Sequence, residues 1–374
     1  MAKKKPTAVQ LQKLDREIVE LLNQRAAAAL ESGESTGADG RPTGSDGLQQ
    51  LAEAGEGPLS GTAIQNIYRE LLSGIRAARH PQRVAYLGPE YTYSHLAAIA
   101  RFGQSAELMP VGSIAAVFDE VEQGNAEFGV VPIENSTDGR VADSLECLAR
   151  PHTRAGDGPA RSNSPASSVQ PTASLQICGE VPLRIHHCLL GIGKRSDLRR
   201  VCSKPQALSQ CRNWLSAHLP NVKLEPTAST AEAATLAAGS SETAAIAAEQ
   251  AGVNHGLTVL ARNIEDNPEN VTRFAVIGAQ AAGRTGRDKT ALVFEAPHQP
   301  GALADAMAIF KRQRLNLTWI ESFPIPRERG RYLFFLEFQG HPSDAAVKKA
   351  IAALTKKSLR LVLLGSYAEA EVVG

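Results

Sequence analysis

The first eighty residues carry apolar side chains at the spacing of amphipathic helices. In the segment 8–31, one helical face would hold Leu11, Leu14, Ile18 and Leu21. A second helix is predicted to begin after Ser60, a residue type that favours helix N-caps. Its apolar face would hold Ile64, Ile67, Leu71 and Ile75. Two such helices bury too little surface to be stable alone, so the sequence predicts an all-α module over residues 1–81 that pairs with a second copy.

After residue 82 the pattern changes to short apolar runs alternating with helical segments. "RVAYLG" (83–88) and "FGVVPIEN" (128–135) predict strands, and helices are predicted over 112–123 and 139–150. "RIHHCLLGI", predicted as one strand, opens a second such unit, and the chain returns to the first with "RFAVIG". The pattern predicts an α/β domain over 82–279 with mostly parallel sheet and two lobes, as in periplasmic binding proteins. Such folds hold ligands in the cleft.

Two further segments complete the predicted multidomain chain. Residues 151–174 are rich in Pro, Ser, Ala and Gly without periodicity, which predicts a disordered insertion in the α/β domain. After the polar linker 279–287, residues 288–368 show the order strand–helix–strand–strand–helix–strand. This βαββαβ order is typical of a ferredoxin-like domain.

Composition narrows the function without naming it. The 374 residues include 40 Lys and Arg against 39 Asp and Glu, a net charge of +1 that indicates neither a nucleic-acid partner nor an anionic membrane. No apolar run approaches the roughly 20 residues that cross a bilayer, and "MAKKKPTAVQ" does not read as a signal peptide. The five cysteines lack regular spacing, so we expect free buried thiols and a cytoplasmic protein.

Polar turns are the candidate chemistry of the α/β domain. Five hydroxyl-bearing stretches follow strand ends or begin helices: "GPEYTYSH" (88–95), "PIENSTDGR" (132–140), "SKPQAL" (203–208), "STAEAA" (229–234) and "NVTRF" (270–274). Each alone reads as an ordinary turn or cap. Together around one cleft they predict a small oxyanionic substrate, held by hydroxyls, backbone amides and one arginine.

Other chemistries are disfavoured by the sequence. His186, His187 and Cys188 are consecutive in a predicted strand, so their side chains would alternate between faces and no metal site is expected. The chain has no dinucleotide-binding glycine fingerprint, no Walker loop and no nucleophile elbow. The sequence therefore disfavours NAD and ATP as ligands.

At this point five segments resemble a known family. In order, "YLGPEYTYSHLAA", "FGVVPIENSTDG", "PQALSQCRNWL", "ARNIEDNPENVTRFAVIG" and "PGALADAMAIFKRQRLNLTWIESFP" are similar to the motifs of prephenate dehydratase followed by its ACT regulatory domain. The N-terminal helices resemble the chorismate mutase module fused to that enzyme in many bacteria. Two rival readings are arogenate dehydratase, which performs the same elimination on the amino-acid analogue, and a non-catalytic amino-acid-sensing binding protein.

The resemblance implies a decarboxylative loss of the ring hydroxyl from prephenate, giving phenylpyruvate without a cofactor. Thr272 would donate a hydrogen bond to the departing hydroxide. Arg273 would hold the surviving pyruvyl carboxylate or brace the loop. The leaving carboxylate should face uncharged groups, because an ion pair to it would stabilise the ground state. Those groups would be Asn135, Ser136 and Thr137, with Thr92 and Ser94 as polar lining and Phe274 packed nearby.

Two positions of the α/β domain depart from the family pattern. Tyr91 stands where the family commonly has glycine, which predicts a narrower wall of the cleft. Lys204 stands where histidine is frequent before "PQAL", which puts a substrate role for that position in doubt.

The resemblance also implies feedback inhibition by L-phenylalanine. In the family, a "GAL" turn and an "ESRP" segment form the amino-acid site between two paired ACT domains, which implies a homodimer or homotetramer. In this chain the site would be formed by five residues: Gly301, Ala302, Leu303, Glu321 and Ser322. Phe323 replaces the arginine of "ESRP". If that arginine contacts the ligand, we expect weaker phenylalanine binding, and if it braces the interface, we expect little change.

The helical module keeps only part of a mutase site. Arg25 continues the apolar stripe of the first helix and matches one family arginine. Other expected cations are absent, because Ala8 and Thr36 occupy two of their positions, Thr43–Gly44 replaces an Arg–Glu pair and Arg79 falls near a glutamine. The sequence therefore predicts a poor chorismate mutase.

Overall fold

The computed structural model describes residues 7–32, 57–150, 175–325 and 331–374. The predicted insertion at 151–174 lies outside these residues, as do Thr36, Thr43 and Gly44. Two helices belong to the N-terminal module: α1 (Ala8–Glu31) and α2 (Gly61–Arg79). Thr7 and Gln10 form a capping box at the start of α1, and Ser60 caps α2 as predicted.

The apolar stripe of α1 does not face inward within one chain. Leu11 is 51% exposed and Leu21 is 63% exposed. The second helix, α2, contacts α1 and is also bonded to the α/β domain, where Arg76 Nη2 donates to Phe102 O (2.8 Å) and Gln104 N donates to Glu70 Oε2 (2.9 Å). Within one chain the stripe is uncovered, and its pairing with a second copy stays a prediction.

The first lobe of the α/β domain is built on a six-stranded sheet. Its strands are β1 (Arg83–Leu87), β2 (Glu107–Val111), β3 (Phe128–Asn135), β4 (Gly139–Arg140), β5 (Gln176–Arg184) and β11 (Val271–Gly278). Its helices are α3 (Tyr93–Phe102), α4 (Ile114–Glu122) and α5 (Ala142–Ala149). The order is β2-β1-β3-β11-β5, with β4 paired to β3.

The second lobe is built on a five-stranded sheet in the order β10-β6-β9-β7-β8. Its strands are β6 (Cys188–Gly191), β7 (Arg200–Ser203), β8 (Lys223–Pro226), β9 (Thr243–Ala247) and β10 (Thr258–Ala261). Its helices are α6 (Pro205–Gln210), α7 (Arg212–His218), α8 (Thr230–Ala238) and α9 (Glu249–Asn254), with a 3₁₀ turn at Arg195–Asp197. All five cysteines are buried free thiols.

Two details of the predicted α/β domain were wrong. Both sheets are mixed rather than mostly parallel, because β11 runs antiparallel to β3 and β5, and β6 runs antiparallel to β9 and β10. The apolar run 184–192 is also not one strand. Residues 185–187 leave the first sheet and carry the chain across to the second, which begins at Cys188.

The third unit, here the C-terminal domain (288–368), has the predicted βαββαβ order. Its elements are β12 (Asp288–Glu295), α10 (Ala302–Gln313), β13 (Leu317–Pro324), β14 (Tyr332–Gln339), α11 (Ala345–Lys357) and β15 (Arg360–Ala368). The antiparallel sheet has the order β13-β14-β12-β15. Phe294 and Phe310 pack between this sheet and its helices, whereas Val293 and Phe335 join an apolar core shared with the first lobe. None of the described helices combines the length and apolar character needed to cross a membrane.

Candidate active site

A cleft of about 880 Å³ lies between the two lobes. Its walls come from the ends of β1 and β3 and the beginnings of α3, α6, α8 and β11. The polar residues on these walls include Thr92, Ser94, Asn135, Lys204, Thr230 and Thr272. Each of the five predicted polar turns therefore contributes at least one residue to the same cavity, and "NVTRF" contributes Thr272.

Thr272, at the start of β11, is bound to Asn135 at the end of β3. The two residues are direct partners in the β3–β11 ladder, so their side chains project on the same side of the sheet. Asn135 Nδ2 donates to Thr272 Oγ1 (2.8 Å) and to Asn270 Oδ1 (2.9 Å). Asn135 Oδ1 accepts from the backbone N–H groups of Thr137 and Asp138, both at 3.0 Å. With four bonds in place, the orientation of the Asn135 amide is fixed.

This orientation has a chemical consequence for Thr272. Because Asn135 donates to the Thr272 oxygen, the hydroxyl proton is not used in that bond. No other described residue hydrogen-bonds Thr272 Oγ1, so its O–H can donate into the cleft. Accepting a bond from an amide also polarises the hydroxyl, which strengthens its own donation.

Ser136 and Thr137 do not line the cleft as expected. The Ser136 and Thr137 hydroxyls donate to Asn270 Oδ1, at 3.4 and 3.2 Å. Asn270 is 1% exposed and precedes β11 by one residue. Both hydroxyls therefore hold the side chain that orients Asn135, because the turn after β3 folds back toward the base of β11.

Arg273 points away from the cleft, which corrects its predicted role as a ligand of the pyruvyl carboxylate. Side chains alternate along a strand, so Thr272 and Phe274 face the cavity and Arg273 faces the opposite side. There its guanidinium contacts Glu134 (2.9 Å), Glu180 (2.8 Å) and Glu337 (2.6 Å). Burial acts to lower the pKa of Arg273, but the charges of Glu337 and Glu180 outweigh it and raise that pKa.

The remaining predicted residues of the first lobe lie on or under the cleft wall. Thr92 lines it and caps α3, and its hydroxyl donates to Pro89 O (2.9 Å). Ser94 lines it and is almost fully buried, and Phe274 forms part of its floor. Tyr91 is not among the lining residues, so it does not narrow the cleft. Its backbone adopts a left-handed φ of 63°, and its side chain packs on apolar residues of the second lobe.

A hydrogen-bonded chain that sequence reasoning missed joins the lobes across the cleft. Asp138 of the first lobe accepts from the side-chain amides of Gln206 and Gln210 in α6, the latter at 2.8 Å. Gln210 Oε1 then lies 2.9 Å from His187 Nε2, and His187 Nδ1 lies 2.9 Å from the Tyr93 hydroxyl. Because Gln210 uses its N–H₂ on Asp138, His187 must carry its proton on Nε2. Burial lowers the pKa of His187, which favours this neutral form.

The "PQALSQCRNWL" and "ENSTDG" stretches contain three of these residues, so their positions were visible in the sequence. Their pairing was not, because Asp138 and Gln210 are 72 residues apart in the chain. His186, the neighbour of His187, is instead bound to Glu265 (2.7 Å). Among the described residues no group of three His, Cys, Asp or Glu side chains is arranged to hold a metal ion.

Two cationic residues line the cleft. Arg140 is bound to Glu321 Oε2 (2.9 Å) and to Ser322 O (3.1 Å) of the C-terminal domain. Lys204 is exposed, lines the cavity and immediately precedes α6. Because Arg140 is already bound to a carboxylate, the Lys204 ammonium is the cation on the described cleft wall that is available for an anionic ligand.

The predicted regulatory residues fall on two separate parts of the C-terminal domain. Gly301 precedes α10 with a left-handed φ of 82°, which a residue with a side chain adopts only at a cost. Glu321 and Ser322 lie on β13, and within the described residues no hydrogen bond joins them to the 301–303 turn. Phe323 packs against the core shared with the first lobe. It therefore faces the domain interface.

Comparisons with known proteins match most of the chain. A family profile described as prephenate dehydratase matches residues 84–282. A bifunctional chorismate mutase/prephenate dehydratase of Stutzerimonas stutzeri is 36% identical over 98% of both chains. The crystal structure of a prephenate dehydratase from Arthrobacter aurescens in complex with L-Phe is 32% identical, with a TM-score of 0.65 over 76% of this chain and 89% of that one. The structure of GqqA, described as a quorum quenching acylase, is 28% identical, with a TM-score of 0.65 over 77% of this chain and 98% of that one.

Proposed function

This chain belongs to the prephenate dehydratase family, and we propose that its cleft converts prephenate to phenylpyruvate with Thr272 as the donor to the departing hydroxide. The observation that carries the assignment is the Asn135–Thr272 hydrogen bond (2.8 Å), in which Asn135 is the donor, so that the Thr272 proton is free for donation into the cleft. Family membership sets aside the alternative of a non-catalytic binding protein.

The reaction needs little beyond this donor. The bond from the ring to one carboxylate breaks, its electron pair enters the ring, and the carbon–oxygen bond of the ring hydroxyl breaks. Carbon dioxide and hydroxide leave, and the hydroxide, hydrogen-bonded by Thr272 as it departs, becomes water by taking up one proton supplied by the buffered solvent. Formation of the aromatic ring supplies the driving force, so the barrier lies in the developing negative charge on the departing oxygen. A preorganised hydroxyl donor stabilises that charge.

The cleft has a cationic part and a neutral polar part, which suits a substrate that keeps one carboxylate and loses another. Lys204 would bind the surviving pyruvyl carboxylate, the role that Arg273 cannot take from the other side of β11. The leaving carboxylate would face the neutral side chains of Asn135, Thr92 and Ser94. A cation there would stabilise the carboxylate before it is lost and raise the barrier.

The function is tested by following phenylpyruvate and phenylalanine when purified full-length chain is mixed with prephenate and, separately, with arogenate. We expect phenylpyruvate from prephenate. Preferred turnover of arogenate would change the substrate but not the reaction, and turnover of neither would refute the assignment. Lys204→Met should raise KM for prephenate about 10-fold with little change in kcat, because one charge-assisted hydrogen bond is lost. Lys204→Arg should restore most of the affinity.

We also propose that the C-terminal domain is an ACT domain that binds L-phenylalanine. Its βαββαβ order and the glycine turn before α10 support this, since backbone amides at a helix N-terminus favour a carboxylate. The turn and β13 are separate within one chain, so a second copy would complete the site, in a homodimer or homotetramer. Calorimetric titration of the full chain with L-phenylalanine tests the proposal. No heat at millimolar ligand would contradict it.

For the N-terminal module we propose a dimerising role with poor chorismate mutase activity. The exposed stripe of α1 supports pairing with a second copy, because a stripe of this kind is normally covered. Arg25 is the one family cation matched on α1, and a dicarboxylate site needs several. Rapid chorismate turnover by the full chain that is lost in Arg25→Ala would contradict the second half of this proposal.

A further inference from the structure

Arg273 occupies an unusual position for a buried arginine. Its side chain is 16% exposed, and the three carboxylates around it come from three different places: Glu134 on β3, Glu180 on β5 and Glu337 on β14. The first two belong to the first lobe, and the third belongs to the C-terminal domain. The residue next to the catalytic hydroxyl is therefore bound directly to the C-terminal domain.

The cluster around Arg273 is held in place by further bonds. Glu180 also binds Lys289 Nζ (2.8 Å) of β12, and Glu337 also accepts from the Thr318 hydroxyl and the Tyr367 hydroxyl. The side chains of Glu180 and Glu337 are 1% and 0% exposed. Buried carboxylates are tolerated only with such partners, and removing one partner leaves a costly unpaired charge. Movement of Glu337 would therefore carry Arg273 with it.

A second connection reaches the same point of the sheet. Val373 N donates to Pro182 O (2.9 Å), and Arg184 N donates to Val373 O (2.8 Å), so Val373 pairs with Leu183 at the outer edge of β5. Leu183 is in turn the ladder partner of Thr272. The segment that follows the C-terminal domain thus extends the catalytic sheet in the row that contains Thr272.

The pairing of β11 with β3 is irregular next to Thr272. The pairing of β11 with β3 shifts between Arg273 and Phe274, which is a β-bulge. The extra residue is Ile133 on β3, and a bulge redirects side chains and disrupts the ladder locally, here on one of the two edges of β11. The orientation of Thr272 then depends on what holds Arg273 on the opposite face.

We propose that Arg273 is a positioning residue that transmits the state of the C-terminal domain to Thr272 through Glu337. This inference rests on the proposed function of Thr272. An amino-acid ligand that displaces β14 would shift Glu337, release Arg273 and misplace the Thr272 hydroxyl. Misplacement by about 1 Å lowers turnover up to 10²-fold even when the change is remote from the chemistry.

The test compares two substitutions of buried glutamates in the C-terminal domain. Glu337→Gln keeps the shape but removes the charge that holds Arg273. Glu295→Gln is the control, because Glu295 on β12 is also buried (4% exposed) and is paired with an arginine, Arg331, which lies just before β14 of the same domain. In Glu337→Gln we expect kcat to fall about 10-fold, KM to stay within about twofold and the amides of residues 271–274 to exchange hydrogen about 10-fold faster. Glu295→Gln should change none of these beyond about twofold.

The response to L-phenylalanine gives a second readout. In Glu337→Gln, calorimetry should show binding as in the wild type, while the maximal inhibition falls, because the coupling between sites is lost rather than the site itself. Arg273→Lys keeps the charge but has a single nitrogen, so it cannot reproduce the separate contacts of Nη1 with Glu134 and of Nη2 with Glu180 and Glu337. It should therefore behave like Glu337→Gln.

The outcomes separate this inference from the function on which it rests. If Glu337→Gln and Glu295→Gln change kcat, inhibition and exchange at 271–274 equally, Arg273 serves only interface stability and the inference is overturned. If the wild-type chain turns over neither prephenate nor arogenate, the proposed function fails. Amide hydrogen exchange at residues 271–274, compared between the two variants, needs no turnover. It then still decides whether Glu337 stabilises the strand segment that contains Thr272.

Discussion

The two faces of β11 hold neighbouring residues by different interactions. On the cleft face, Thr272 is held by Asn135 through neutral hydrogen bonds. On the other face, Arg273 is held by three carboxylates. Neutral donors can strengthen as charge develops on a leaving oxygen, whereas a cation beside the departing carboxylate would stabilise that carboxylate before it is lost. The comparison indicates that charge on β11 is used for position and kept away from the bond that breaks.

The largest effect is expected on the cleft face. Thr272→Ala removes the positioned donor and should lower kcat about 10²- to 10⁴-fold with little change in KM. Thr272→Ser, which keeps the hydroxyl, should retain substantial activity. Thr272→Val is the control for side-chain shape and should be as slow as the alanine variant. Near-normal turnover by the valine variant in a phenylpyruvate assay would show that the hydroxyl has no role.

The next largest effect tests the direction of the Asn135 bond. Asn135→Asp replaces the amide donor by a carboxylate that can only accept, so the Thr272 hydroxyl would donate to Asp and no longer to the leaving group. We expect kcat to fall about 10- to 100-fold at neutral pH. Activity should recover as the pH falls and the new carboxyl becomes protonated, because the protonated form can donate. A pH–rate profile with no rise on the acid side, relative to wild type, would contradict this direction.

The ion pairs of Arg273 should make the stability of the fold depend on pH. Burial acts to raise the pKa of Glu337, but Arg273 and Lys289 outweigh it and hold that pKa below its ordinary value. The folded state therefore binds this proton less readily than the unfolded chain. The stabilisation is present above the unfolded pKa of about 4.3 and is lost as the pH falls through the folded pKa.

Glu337→Gln should accordingly lower the free energy of unfolding by about 1–3 kcal/mol at pH 7, since Arg273 keeps two other carboxylates. The difference from wild type should stay constant down to about pH 5 and shrink below it. Urea unfolding at a series of pH values measures this difference. A gap that widens toward acid pH would mean that Glu337 is protonated in the folded protein and that the pair with Arg273 is not ionic.

The sequence predicted one side of this comparison better than the other. Helix caps and apolar spacing predicted α1, α2 and the βαββαβ order, and the resemblance to the family predicted Thr272 and Asn135. Side-chain alternation along β11 predicts that Arg273 and Thr272 face opposite sides of the sheet, whereas the family motif alone implies that both face the substrate. Glu337 could not be found, because it lies 64 residues away and meets Arg273 only when two domains pack.

The smallest predicted effect concerns Phe323, which lies on the same face of β13 as Trp319, a residue 5.5 Å from the Arg273 guanidinium. The family arginine at this position would point at the first lobe and not at the turn before α10. We therefore expect Phe323→Arg to change L-phenylalanine affinity by less than about threefold in calorimetric titration. A substitution that supplied a charge-assisted hydrogen bond to the ligand would instead tighten binding by about 10-fold or more.

Phe323→Leu serves as the control for packing, because it keeps an apolar side chain against the shared core. Both variants should bind L-phenylalanine alike, while the arginine variant should be the less stable of the two, since it places a fourth arginine beside Arg140, Arg150 and Arg360 at the interface. Tighter binding in Phe323→Arg alone would return this position to the ligand site. It would also show that charge at the C-terminal domain is used for recognition, in contrast to the positional use that β11 makes of Arg273.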